Sequence, residues 1–242
     1  MFVFMKTRRT HDSLYLNENR YDDAKEQFKF IVNHSFEEDE FNSSISICDV
    51  GSAAGEFLYY LNSIAPNIQL TGFDVMEDLL EKSKKYVPNA SYKIGSVLDI
   101  KNFDSNQFEK TFLTGVHMIF DEFETPITNL IYWTKPGGKV VITGLFNSFP
   151  VDVYIKYKES KNYQSEYFEE GWNMFSIESI SKFLNTLEDV KSFDFKKFNI
   201  GIDLDKQSDI IRSWTFKDIH ENRFITNGLS IIQQQYTLII NL

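Results

Sequence analysis

A single cysteine, Cys48, stands in the 242 residues, which excludes an internal disulfide and any zinc site built on cysteines. Its place in an apolar stretch marks it as a small core residue rather than a reactive thiol. No apolar run approaches the ~20 residues that a membrane-spanning helix needs. Residues 1–5 are apolar but are followed at once by Lys6, Arg8 and Arg9, the reverse order of a secretory leader; a cytoplasmic protein is the expectation. Basic residues are outnumbered 25 to 35 by acidic ones, for a formal charge of -10. A phosphate backbone is repelled at long range by such a chain, so nucleic acid is not an expected partner. Internal repeats and low-complexity tracts are absent. The neighbouring carboxylates Asp121 and Glu122 read as helix N-terminal residues rather than a cation pair, and no metal is expected.

What remains fits one domain of ordinary size, 42% hydrophobic and 25% charged, the composition of a globular protein. Ala24, Phe28, Ile31 and Val32 recur at helical spacing, predicting an amphipathic helix over 21–34. From there strands and helices alternate: strand 44–50, helix 56–64 ended by Pro66, strand 70–73, helix 77–86, strand 91–95, strand 110–114, and helix 125–134. Pro136-Gly137-Gly138 stops that last helix before a strong strand at 139–145. Alternation with short connections predicts an α/β domain, a parallel sheet with helices on both faces. The rhythm breaks over 146–175, which is polar and aromatic. A helix capped by Ser176 follows at 176–187, then a strand at 190–200, a hairpin of 212–217 and 223–227 around His220, and a closing strand at 230–241.

The most informative stretch is Asp49-Val50-Gly51-Ser52-Ala53-Ala54-Gly55. Gly51 and Gly55 sit where a strand turns into a helix, and small residues there let backbone N–H groups approach a ligand. The stretch is not the dinucleotide fingerprint, which needs glycine at 53 and 56, where the chain has Ala53 and Glu56. An acid two residues before the first glycine suits a cationic ligand better than a pyrophosphate. The second strand ends in Asp74, a carboxylate able to accept two hydrogen bonds from a ribose diol.

On these residues the chain resembles class I S-adenosylmethionine-dependent methyltransferases over 21–145. The glycine loop, Asp74, the third motif at 95–99 and the Pro136–Gly138 turn follow in the family's order. The resemblance implies a Rossmann-like, seven-stranded, mostly parallel sheet whose last strand is antiparallel, with S-adenosylmethionine as cofactor. It implies cofactor contacts at Asp49, Gly51, Ser52, Ala53, Gly55, Asp74, Val75, Ser96, Val97 and Gly115. Ser96 stands where the family usually has Asp, so the backbone N–H of Val97 is the expected reader of the adenine edge. His117, just past the fourth strand, occupies the place where many members carry a histidine near the methyl group, and is the expected general base. The segments 146–175 and 202–229 lengthen connections that are short in minimal members, and are expected to form an aromatic-rich substrate cap. Tyr157, Trp172 and Asn173 are its candidate acceptor contacts. A stretch at 169–176 is similar to methyltransferases of bacterial surface-polysaccharide pathways. The expected activity is methyl transfer to a small-molecule or carbohydrate acceptor, at oxygen. The alternative is a non-catalytic subunit of the same fold that binds the cofactor or a partner.

Overall fold

Helix α1 (Glu26–Ser35) buries Phe28, Ile31 and Val32, the face that the sequence pattern marked, but it starts later than 21. Tyr21 is used as an anchor instead: its hydroxyl donates to the Ala54 carbonyl at 2.7 Å and its ring stacks on Tyr86 at 3.6 Å. The computed structural model describes residues 15–17 and 19–242, and the expectations made for residues 1–9 lie outside them.

Strand β1 (Ser46–Val50) runs into α2 (Glu56–Ile64), β2 (Gln69–Asp74) into α3 (Glu77–Tyr86), and β3 (Ser91–Ile94) leads to β4 (Phe108–Thr114). Then come α4 (Glu124–Trp133) and β5 (Thr134–Asn147). Pro136-Gly137-Gly138 does not stop the helix. It lies within β5, whose pairing with β4 begins at Phe108↔Thr134 and then shifts register. Beyond β5, the short β6 (Lys156–Tyr157) and β7 (Glu169–Glu170) pair with each other, and β8 (Phe175–Ser176) adds briefly to β5. Helix α5 (Ile177–Leu184) is capped as expected, Ser176 Oγ accepting from the Ser179 N–H at 3.0 Å. Strand β9 (Ser192–Phe198), the hairpin β10 (Trp214–Lys217) and β11 (Arg223–Thr226), and β12 (Gln235–Asn241) follow.

The sheet order is β3-β2-β1-β4-β5-β12-β9, with β8 attached to β5. The pairs from β3 to β5 are parallel, and β12 is antiparallel to both its neighbours. One apolar layer centres on Phe73, Trp133, Phe146 and Phe175, the other on Phe28, Leu58, Leu61 and Phe112. Strands buried on both faces read as continuous apolar runs, which is why β1 and β4 were legible. No helix among the described residues is long and apolar enough to cross a membrane.

The order reverses between β1 and β4, and the C-terminal edge at such a switch point is where open α/β sheets bind ligands. Gly55 sets the geometry there without reaching the ligand side. It caps α2 at φ +79°, and a Cβ on it would overlap Ser83 Oγ of α3. Gly55→Ala is expected to cost about 2 kcal/mol or more, a left-handed conformation plus overpacking. Urea unfolding measures this, and an unchanged midpoint would refute it.

Candidate active site

At that edge lies a cavity of about 370 Å³. Its first half is built by the ends of β1, β2 and β3: Asp49, Gly51, Ser52, Ala53, Asp74, Val75, Ser96 and Val97 all line it. Gly115 lines it from β4, so every sequence-predicted cofactor residue is brought together except Gly55, which packs behind.

The loop after β1 is clasped to the end of β2. Gly51 N–H and Ser52 N–H both donate to the Phe73 carbonyl, at 2.7 and 3.1 Å. Asp74 accepts from Ala53 N–H through Oδ2 and from Met76 N–H through Oδ1, both at 2.9 Å. Each carboxylate oxygen has two lone pairs, so the group is held in place with capacity left for a diol. Gly51 has φ +73°, and a Cβ there would overlap Val116 Cγ2; a side chain would close the cradle. The loop after β3 is held from behind. Asn102 Nδ2 donates to the Ser96 carbonyl at 2.9 Å and Asn129 Nδ2 to the Val97 carbonyl at 2.7 Å.

Asp49 is 2% exposed and its Oδ1 has no hydrogen-bond partner. Burial, then the nearby Asp74 charge, push its pKa up to about 8, against a smaller pull from Lys25. Ser52 Oγ is likewise buried without a partner. A buried, unpaired acid over a cleared backbone cradle fits a ligand that carries a positive charge and a nucleoside, which matches the expected cofactor.

The second half joins the ends of three adjacent strands, Thr114 of β4, Gly144 and Leu145 of β5 and Gln235 of β12, with Met118, Trp172, Ser213 and Gln27 around them. Gln27 Nε2 donates to Gln235 Oε1 at 3.1 Å, tying α1 to the last strand. Thr114 Oγ1 is buried without a partner. The charged lining residues among those described, Lys25, Asp49, Glu56 and Asp74, come from the N-terminal segment, β1, α2 and β2. The lining contributed by β4, β5 and β12 carries no charge.

His117 is a correction. Expected beside the reacting group, it does not line the cavity. It is 2% exposed, its ring stacks on Phe146 at 4.5 Å, and Nε2 donates to the Leu145 carbonyl at 3.0 Å. The slot exists because Gly144 has no side chain: a Cβ there would overlap the imidazole Cε1. Desolvation lowers its pKa to about 4. The folded state therefore favours neutral imidazole, a contribution present above pH 6.5 and lost as pH falls towards 4. It amounts to about 3 kcal/mol. Urea midpoints at pH 7 and pH 4.5 should differ more in the wild type than in His117→Gln, and equal differences would refute the buried-neutral assignment.

The acceptor candidates divide. Trp172 lines the cavity. Tyr157 is buried in β6, opposite Glu169 of β7. Asn173 is 1% exposed and braces the cap: Oδ1 accepts from Ile155 N–H at 3.0 Å, and Nδ2 donates to the Phe120 carbonyl at 2.8 Å and Asp121 Oδ1 at 3.2 Å. Tyr157 and Asn173 thus serve the cap's own packing. Lys25, Gln27, Thr114, Ser213 and Gln235 escaped the sequence reading, since no local pattern marks isolated polar residues that converge from distant segments.

The model of a family described as a methyltransferase domain matches residues 41–190. No curated protein matches the sequence. Among solved structures, one chain of the complex between the Haloferax volcanii Trm112 methyltransferase activator and a methyltransferase superposes with TM-score 0.62 at 14% identity, covering 97% of this chain and 99% of that one. The YcgJ protein of Bacillus subtilis gives 0.57 at 10% identity, covering 88% and 97%. A SAM-dependent methyltransferase from Aquifex aeolicus gives 0.54 at 12% identity, covering 96% and 98%. At these identities the likeness is one of fold.

Proposed function

From the premise that the chain belongs to the methyltransferase-domain family, and is an S-adenosylmethionine-dependent methyltransferase of the class I, Rossmann-like kind, we propose that its acceptor is an uncharged, ring-bearing small molecule seated over Trp172. When bound, S-adenosylmethionine supplies a methyl group already activated by its sulfonium. The protein's own work is orientation and exclusion of water, to which effective molarity contributes up to about 7–11 kcal/mol.

In this reading residues 21–145 hold the cofactor. Asp74 accepts from the ribose hydroxyls, Asp49 faces the ammonium, the backbone of Gly51, Ser52 and Ala53 forms the cradle, and Ser96, Val75 and Val97 flank the adenine. Gly115 keeps the passage between the two halves open. The segments 146–175 and 202–229 supply the acceptor side through Trp172 and Ser213, facing Thr114, Gln27 and Gln235. The observation that carries the acceptor class is the uncharged lining contributed by β4, β5 and β12: a charged acceptor buried against it would go uncompensated, whereas amides, hydroxyls and an indole suit a sugar or a nitrogen heterocycle.

The expected oxygen acceptor relied on His117 as base, and that ring is turned into the sheet. A ring nitrogen, whose lone pair is available without proton removal, suits this lining better than a hydroxyl. Release of S-adenosylhomocysteine tests the reading on paired acceptors, neutral methyl glycosides and nitrogen heterocycles against their carboxylate and ammonium counterparts. Turnover is expected only with neutral members; turnover confined to charged ones would reject it. Trp172→Ala is expected to raise the acceptor KM roughly tenfold, from lost area and stacking, and to leave cofactor Kd unchanged. Equal loss of both would make Trp172 a packing residue.

A further inference from the structure

Lys25 belongs to no motif of the glycine loop, yet it stands at the cavity beside it. Its Nζ lies 2.9 Å from Glu56 Oε2 in the first turn of α2. The same ammonium sits over the rings of Phe28 and Tyr15, 5.2 and 5.7 Å from their centroids. Glu56 is 8% exposed, so Lys25 compensates a nearly buried carboxylate. Across the cavity is Asp49, whose carboxyl feels the Lys25 charge and whose buried Oδ1 has no partner. Between them Ser52 Oγ is also without a partner.

This corner therefore presents a cation, a buried acid and an idle hydroxyl. A ligand group bearing one positive and one negative charge is complementary to that set. An ammonium meets Asp49, and a carboxylate meets Lys25 and the Ser52 hydroxyl. With ribose at Asp74 and adenine at Ser96 and Val97, the amino-acid end of the cofactor is the part left for this corner, an assignment that rests on the cofactor site proposed above.

We propose that Lys25 reads the α-carboxylate of the cofactor, making it the residue that distinguishes S-adenosylmethionine from its decarboxylated analogue. The ammonium has three donors, so Lys25 keeps Glu56 and engages the second carboxylate. The Phe28 and Tyr15 rings shield the contact from water, where a charge-assisted bond is worth more.

Titration calorimetry on the full chain, as wild type, Lys25→Met and Lys25→Arg, tests this with three probes. They are S-adenosylmethionine, decarboxylated S-adenosylmethionine, which keeps the ammonium, and 5′-methylthioadenosine, which lacks the amino-acid end. Wild type is expected to prefer S-adenosylmethionine over the decarboxylated form by about tenfold or more. Lys25→Met should erase that preference with 5′-methylthioadenosine binding unchanged within about twofold, and Lys25→Arg should keep most of it. Equal preference in wild type and Lys25→Met overturns the role of Lys25, while retained 5′-methylthioadenosine binding leaves the cofactor site standing. Weakened 5′-methylthioadenosine binding in Lys25→Met makes Lys25 a structural residue and also overturns the proposal. If none of the three binds wild type, the cofactor site falls and Lys25 with it.

Discussion

Cofactor-free Asp49→Asn protein is expected to melt at a higher temperature than wild type at pH 8, while its affinity for S-adenosylhomocysteine falls about tenfold or more. Both follow from a carboxyl that is buried and unpaired. Its pKa of about 8 in the folded chain lies above the ordinary 3.8, so the native state binds this proton more tightly than the unfolded one. Stability from this group is full below pH ~4, declines as pH rises towards 8, and then levels off, a change of a few kcal/mol. Asparagine has the same shape and no charge to bury, so the decline disappears. Binding has the opposite slope. The ligand's ammonium favours ionised Asp49, and wild-type affinity should strengthen from pH 6 to pH 8 while the variant stays flat. Melting and calorimetric titrations across that range measure both, and a flat wild-type binding profile would count against Asp49 as the ammonium's partner.

Gly51→Val is expected to abolish measurable cofactor binding, a loss of about 100-fold or more, with a folded but less stable protein. The position needs φ +73°, and a Cβ overlaps Val116 Cγ2, so the loops after β1 and β4 cannot both stay. Left-handed backbone costs about 1–2 kcal/mol for a residue with a Cβ, and the overlap adds to it. The two contributions separate in Gly51→Ala with and without Val116→Ala. The second substitution makes room, and should recover part of the affinity while the backbone strain persists. Full affinity in Gly51→Val would sink the cradle. Asp74→Ala belongs to the same unit, because Asp74 holds the Ala53 and Met76 N–H groups; it is expected to loosen the loop as well as remove the ribose acceptor.

Periodicity and local chemistry carried a large part of this protein into view. Apolar strands alternating with amphipathic helices specify a covered parallel sheet, because each face must be buried. Gly51 announces a backbone that few other residues adopt, and Asp74 a carboxylate at a strand tip. These are properties of short segments, readable without neighbours. The Pro136–Gly138 turn misled for the converse reason: its residues signal a break locally, but pairing with β4 draws them into a strand.

Tertiary structure alone decided where side chains point and which distant residues meet. His117 stands at the position in the chain expected of a base, and the missing Cβ of Gly144 opened a slot that turned its ring into the sheet. Asn173 and Trp172 are neighbours in sequence, yet one braces the cap and the other faces the cavity. Gln27 and Gln235 are joined across 208 positions, and Lys25 reaches Glu56 through a fold that brings α1 against α2. A strand or helix is specified by repeated local preferences that add along the segment. A side chain's direction and a long-range pair are set once, by packing against residues that the local sequence does not contain.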